Sequence, residues 1–446
     1  MSNKNPIKIA IVSLGCPKNL ADMEGVLAYL KGISIVNENE AKIVFLNTCG
    51  FLKAARNEVF ENIKKLKNKK IIILGCLAGQ FKKEDFEKYP QIYAVVSSVN
   101  YLKMQKIMEK VAAGKKVYKI SKEPTKFESF AGKSLLTPQS YAYVKIAEGC
   151  DNRCSYCLIP HLKGKYRSRK IEEILEEVKD LVKLGVKEII LVAQDCGCYG
   201  KDLYGTNSLA NLLQKMEKIT GDFWIRTLYI YPERIDDELL KTIAKSKKIC
   251  KYLDIPLQHG DAEILKKMAR PSNIKNIMEK IRKIRKIIPE ITLRTSLIVG
   301  FPGETEKAFK NLQKFVREIK FDHVGVFEYS REPNTAAYGM PNQISARTKS
   351  IRRGKIMLIQ QKISWANNKK VVGKRTRVLV EKHDSQANIY VGRSQRFVPE
   401  IDGEIIVKPK KVPHSLLFSG SCKPLNEFYD VEILVSKEYD LYGKFL

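Results

Sequence analysis

No apolar run in the 446 residues reaches the roughly 20 positions needed to cross a bilayer. The opening residues MSNKNPIKIAIVSLG also lack the charged, then apolar, then small-residue progression of a secretory signal. These two absences argue against a membrane partner and predict a cytoplasmic chain. Acidic side chains are scarce as well: 49 Asp and Glu stand against 80 Lys and Arg, a formal charge of +31. Such an excess predicts attraction to polyanions, RNA or an RNA-rich particle above all, although solvated lysine-rich helices such as 64–70 give the same composition without any partner. Residues 373–446 do not share the excess, with 12 basic and 10 acidic side chains and a net charge of only +2.

What is present in quantity is cysteine. Ten thiols in a reducing compartment favour metal ligands or redox groups over disulfides. Three of them, Cys150, Cys154 and Cys157, fall within eight residues of the stretch AEGCDNRCSYC, at the end of an expected strand over 141–147. A four-iron cluster normally takes four thiolates, so three would leave one iron open to a non-protein ligand. A Cys3His zinc site completed by His161 is the competing reading.

The length allows two to four domains. Residues 1–120 alternate apolar strands with amphipathic helices, starting at about Asp22, Leu52, Gln80 and Tyr101, and predict a doubly wound parallel sheet. Three of its strands end alike, in Leu14-Gly15-Cys16, in Asn47-Thr48-Cys49-Gly50 and in Leu74-Gly75-Cys76. The carboxyl ends of parallel strands line one edge of a sheet, so Cys16, Cys49 and Cys76 can converge on a second cluster with an open iron. Gly15, Gly50 and Gly75 would then let backbone approach the cofactor. Three buried structural cysteines are the alternative.

Residues 121–140 read as a linker. Six further strand-helix units follow within 141–372, with strands expected over 141–147, 188–194, 224–231, 252–257, 292–299 and 323–329, a partial rather than a full eight-unit TIM-type barrel. On its reactive face lie Gly300 and Gly303, whose backbone could approach a ligand, with Glu304 beside them, and the pairs Gln194-Asp195 and Gln258-His259. Capping accounts equally well for Asp195, and a structural hydrogen bond for His259. Cys196 and Cys198 read as incidental thiols, Cys250 and Cys422 as core or loop residues. A long helix over about 346–370 closes the barrel, and residues 373–446 turn to short strands over 376–381, 389–393, 404–407 and 429–435, a small antiparallel β-barrel of a shape often used to hold RNA.

The segments SLGCPKNLAD, NTCGF, AEGCDNRCSYCLIP, YLDIPLQHG, LRTSLIVGFPGET, PEIDG and YDLYG together make the chain resemble the radical S-adenosylmethionine (SAM) methylthiotransferases over nearly its whole length. The resemblance implies a methylthiotransferase domain over 1–120, a radical SAM core over 141–372 and a TRAM-like substrate-recognition barrel over 373–446. It implies two 4Fe-4S clusters: one on Cys150, Cys154 and Cys157 that cleaves SAM reductively, one on Cys16, Cys49 and Cys76 that carries the sulfur to be transferred. Tyr156, Gln194, Gly300, Gly303 and Glu304 are the implied SAM contacts, with no catalytic group beyond the cluster ligands.

PEIDG and the near-neutral last domain favour the branch that methylthiolates the beta carbon of an aspartate in small-subunit ribosomal protein twelve, free or on the ribosome. The sister branch, acting on an adenosine of transfer RNA, is the alternative, and a zinc-holding ribosome-associated binding protein is a rival of another class. RNA contact by the basic surface is a further expectation, and the sequence names no electron donor. Cys196 and Cys198 depart from the family's usual hydroxyl residues, as do Met23 and His161 from its usual types.

Overall fold

A computed structural model describes residues 6–50, 52–120, 132–409 and 424–446; Cys422, Phe51 of the NTCGF segment and positions 121–131 of the expected linker lie outside the described residues. The first sheet holds β1 (Ile7–Ser13), β2 (Ile33–Ile35), β3 (Ile43–Thr48), β4 (Lys70–Gly75), β5 (Ile92–Val96) and β6 (Val117–Lys119), all parallel, in the order β2-β1-β3-β4-β5-β6. Its central strands are apolar on both faces. Ile43, Phe45, Ile72 and Leu74 pack into one helical layer, and Val44, Leu46, Ile71 and Ile73 into the other. That two-sided burial produces the continuous apolar runs seen in sequence. The strand order reverses between β1 and β3, the place where open sheets of this kind bind ligands. Cys16 follows β1 and Cys49 follows β3, one on each side of that point.

The helix after β1 spans Pro17–Tyr29, starting five residues earlier than Asp22. Pro17 explains the shift, since its missing N–H is no loss in the first turn. Cys16 thereby becomes the residue preceding the helix, with its carbonyl accepting from Leu20 N at 3.0 Å.

The central domain supplies β7 (Tyr141–Lys145), the short antiparallel pair β8 (Ala147–Glu148) and β9 (Arg167–Ser168), then β10 (Glu188–Val192), β11 (Trp224–Thr227), β12 (Tyr252–Asp254), β13 (Thr292–Val299) and β14 (His323–Glu328). They form two parallel three-stranded sheets, β7-β10-β11 and β12-β13-β14, linked by a bridge from Ile225 to Ile249 and by Ile230 N to Asp254 O at 2.9 Å. Among the described residues no pairing joins β7 to β14, so the six-unit barrel is open there. Alternation sets its two surfaces: Ala142, Val144, Ile189 and Leu191 meet the outer helices, while Tyr141, Tyr143, Ile190, Val192, Trp224 and Tyr252 share a core inside.

Residues 375–445 form a closed barrel of β15 (Arg375–Asp384), β16 (Ile389–Arg393), β17 (Ile405–Lys408), β18 (Glu427–Ser436) and β19 (Leu441–Phe445), ordered β15-β16-β17-β19-β18. β19, which the sequence reading did not separate as a strand, closes it, and its pairing with β17 is parallel, an exception to the antiparallel rule.

This small barrel plugs the amino-terminal rim of the central one. Arg393 donates to Glu188 at 2.7 Å and to Glu381, Arg226 donates to Glu188 at 2.5 Å, and Tyr252 hydroxyl donates to Asp402 at 2.7 Å. Tyr141 donates to Glu400 at 3.1 Å, so the PEIDG segment faces the central barrel.

Candidate active site

The two cysteine trios occur at the carboxyl ends of strands in the first two domains, as the sequence pattern requires; the six thiols are half-buried, and among the described residues none of them forms a disulfide. Cys76 lies within electrostatic reach of Cys16 and Cys49, and Cys157 of Cys154 and Cys150. Burial pushes Cys76 and Cys150 up to about 11 and Cys157 up to about 12. Without metal these thiols therefore hold their protons. A bound cluster would replace those protons with positive charge, which is how a dry pocket accepts thiolates. Three thiols per site, each trio in electrostatic contact, fit a cluster with one open iron.

Among the described residues no group of three or more His, Cys, Asp or Glu side chains, either trio included, already stands around the position of a single ion. His161 is exposed on the short helix Ile159–Lys163.

The loop that carries Cys150, Cys154 and Cys157 is pinned at several points. Cys150 N donates to Gly164 O at 3.1 Å, Ser155 N to Met268 O at 3.1 Å, Ser155 Oγ to Lys267 O at 2.7 Å, and Ala337 N to Ser155 O at 2.8 Å. Gly149 begins it at φ +84°, where a β-carbon would sit 2.0 Å from Lys165 O. Gly75, at φ +86°, is likewise closed off, since its β-carbon would meet Thr48 O at 2.3 Å. The glycines beside the first-domain cysteines therefore serve close packing of the chain on itself: Gly50 abuts Leu77 backbone and Gly15 abuts Asn19.

Asn19 ties the first trio together. It donates to Thr48 O at 2.9 Å, its carbonyl oxygen takes Asn47 Nδ2 at 3.0 Å, and its side-chain oxygen meets Cys76 Sγ at 3.4 Å.

A buried ionic chain joins the domains beside these loops. Asp22 pairs with Lys145, Lys145 with Glu148 at 3.6 Å, and Glu148 with Lys163 at 2.6 Å, while Lys163 also lies within electrostatic reach of Cys76. Glu148 precedes Cys150 by two residues, so Lys163 links the start of the second trio's loop to the neighbourhood of Cys76. Glu24, fully buried, fixes the same junction through Lys133 at 3.3 Å and Leu136 N at 3.0 Å. The sequence reading missed Lys163, Lys145 and Glu24. The only sequence signal of Lys145 and Glu24 was charge at buried positions of β7 and of the first helix, and Lys163, at the end of the helix Ile159–Lys163, carried none.

Of the expected SAM contacts, Gln194 carries a buried side-chain oxygen without a partner, as a polar group awaiting a ligand would. Tyr156 is half-buried and hydrogen-bonded to Cys154, and burial raises its phenol well above the usual range. Glu304 anchors the helix Ala346–Lys369: it accepts from Gly300 N at 2.6 Å and from Arg352 at 2.8 Å, and stands 3.5 Å from His259. Gly300 and Gly303 face the side chains of Lys349 and Lys267. Asp195 does cap, taking Gly197 N at 3.1 Å, and it also holds Tyr231 N at 3.2 Å and Asn152 of the cysteine loop at 3.3 Å. Cys198 joins that group, with Asp195 at 3.4 Å and Arg234 at 3.1 Å. Arg270, not anticipated, stacks on Tyr231 at 3.8 Å and points a guanidinium nitrogen at Cys154 from 3.8 Å.

Profiles of known families match three stretches: the uncharacterized protein family UPF0004 over residues 8–97, the radical SAM superfamily over 144–316 and the TRAM domain over 372–446. The ribosomal protein uS12 methylthiotransferase RimO of Thermoanaerobacter sp. (strain X514) is 44% identical over 98% of this chain and 99% of its own length. The protein of the same name from Clostridioides difficile (strain 630) is 42% identical over 99% of both. Among solved structures, the radical SAM methyltransferase TsrM of Kitasatospora setae, with tryptophan and a SAM analogue bound, aligns at TM-score 0.55 and 12% identity over 85% of this chain and 79% of its own, a likeness of fold alone.

Proposed function

Because the chain belongs to the family of ribosomal protein uS12 methylthiotransferases, we propose that it replaces a hydrogen on the beta carbon of a uS12 aspartate with a methylthio group. The observation that carries the site assignment is the pairing of the two trios, Cys16, Cys49 and Cys76 against Cys150, Cys154 and Cys157, across one junction bridged by Lys163. Cys150, Cys154 and Cys157 would hold the four-iron cluster that donates an electron to SAM, whose deoxyadenosyl fragment would take the hydrogen, and Cys16, Cys49 and Cys76 would hold the one that supplies sulfur methylated by a second SAM.

The chain's own residues do the rest. A methylene beside a carboxylate has no accessible pKa, so the reaction needs a site free of water rather than a strong base. The plug of residues 393–402 closes the far end of the barrel, and the first domain covers the near end. Arg270 and Tyr156 line the second trio, and Gln194 offers SAM or substrate an unpaired oxygen. Cys16, Cys49 and Cys76, at the strand ends of a separate sheet, would hold the sulfur-supplying cluster apart from the one that cleaves SAM. RNA contact is assigned to the TRAM-type barrel and the basic surfaces of the first two domains.

Mass spectrometry of uS12 and of transfer RNA from a strain lacking the gene tests the substrate. The uS12 aspartate should lose its methylthio group. Loss of a methylthioadenosine with uS12 unchanged would transfer the enzyme to the sister reaction.

A further inference from the structure

Lys18 stands in the cleft between the two domains. It belongs to the first turn of the helix Pro17–Tyr29, two residues after Cys16, and reaches across to the central barrel, where its ammonium lies 4.1 Å from the centre of the Tyr229 ring. Cys16 and Cys76 are within its electrostatic reach on one side, Cys196 and Tyr229 on the other.

The other charges of this cleft are matched. Lys145 and Lys163 share Asp22 and Glu148, and Asp254 takes Arg294 at 3.2 Å. Lys18 alone of these lysines makes no ion pair and no hydrogen bond among the described residues. An ammonium group packed on a ring face in a half-buried cleft has N–H donors that the described residues leave unused.

Tyr229 supports the same reading from the opposite wall. Its φ is +59°, a left-handed conformation that a bulky residue adopts only under constraint. Cys196 N to Tyr229 O at 2.9 Å and Ile230 N to Asp254 O at 2.9 Å impose it, and it directs the ring at Lys18. Strain kept in place by surrounding hydrogen bonds is characteristic of a ligand clamp.

We propose that Lys18 binds the carboxylate of the substrate aspartate and so selects a carboxylate-bearing residue over a neutral one. This rests on the uS12 reading above and adds to it the group that recognises the reacting side chain. An aspartate carried between the two trios would otherwise enter the pocket as an unpaired buried anion. Anchoring the carboxylate at Lys18 also fixes the adjacent beta carbon between the two trios. A neutral adenine would have no use for this cation.

The test uses the cluster-loaded enzyme with uS12 carrying its target aspartate or the isosteric asparagine, and compares kcat/KM for the wild type, Lys18→Gln and Lys18→Arg. Wild type should prefer aspartate by about 10²-fold, the usual effect of leaving a buried charge pair broken. Lys18→Gln should reduce that preference to a few-fold, chiefly through KM for the aspartate protein, and Lys18→Arg should keep most of it. Equal loss on both substrates in Lys18→Gln would mean that Lys18 only supports the cluster or the fold, and would overturn the clamp. So would wild-type turnover of asparagine as fast as aspartate, a result that needs no variant. Wild-type enzyme that cleaves SAM but modifies neither protein would instead refute the uS12 reading beneath it.

Discussion

Glu148 is the residue on which the junction between the first two domains is balanced. Burial alone would raise its carboxyl, but Lys145, Lys163 and Arg167 overcome that and pull it from 4.5 down to about 2. A carboxyl lowered on folding adds stability above its unfolded value and loses it as pH falls towards the folded one. The wild type should therefore lose stability between about pH 4.5 and about pH 2 through this group. Glu148→Gln should lack that part of the acid limb and be less stable at neutral pH by about 3 kcal/mol, as expected when buried cations lose their anion. Denaturation midpoints at pH 7, 4 and 3 measure both effects. At the cysteines, Cys154→Ala should abolish formation of 5′-deoxyadenosine from SAM, whereas Cys49→Ala should retain some cleavage and transfer no sulfur. Each should hold about four irons in place of about eight. Identical behaviour of the two variants would contradict separate roles for the trios. These six thiols were legible in the sequence because ligand chemistry depends on residue type and local spacing. Lys18 and Lys163 were not, since a lysine beside a metal loop and a lysine in water look alike until the opposite wall is placed.

Among the elements, the loop from Gly149 to Cys157 depends most on backbone geometry. At Gly149 both the φ of +84° and the 2.0 Å approach to Lys165 O exclude a β-carbon. Gly205 has a similar φ of +76° but open space around it. Gly205→Ala should thus cost only the left-handed penalty of about 1 kcal/mol. Gly149→Ala should displace the loop and lower iron content by about half, measured on enzyme reconstituted without oxygen. Long, two-sided apolar strands such as β3 and β4 were readable from the chain because burial on both faces forces continuous apolar sequence. The three-residue edge strands β2 and β6 were not, because so short a segment carries no period. β19 was hidden in the same way: LYGKF pairs only because β17 and β18 lie beside it.

For the whole molecule, the notable arrangement is that the TRAM-type barrel lies at the end of the central barrel opposite the cysteine loops. Its PEIDG segment, read from sequence as a pointer to the substrate, is a docking element: Asp402 receives Tyr252 and stands 3.5 Å from Arg294. Under the proposed function, any partner contact made by this barrel would lie remote from the reacting aspartate, and the near-neutral charge of residues 373–446 leaves long-range attraction to the first two domains. Glu188 holds the interface through two buried arginines, Arg226 and Arg393. Glu188→Ala should destabilise the protein by about 3–5 kcal/mol, since both guanidinium groups would remain buried without their shared anion. A single cooperative thermal transition shifted downward is the expected result, and an unchanged midpoint would show that the plug contributes no stability.

By itself the sequence determined which atoms can do chemistry here, because the two C-terminal-edge cysteine sets, the open coordination position they imply and the alternation of strand and helix are all local properties. The tertiary structure decided what surrounds those atoms: which lysine lacks an anion, which carboxylate is shared by three cations, and which face of the last barrel is already covered. Those facts come from pairs of residues up to 259 positions apart, as with Tyr141 and Glu400. A buried charge acquires its role from whichever partner packing delivers, and packing is a property of the assembled chain.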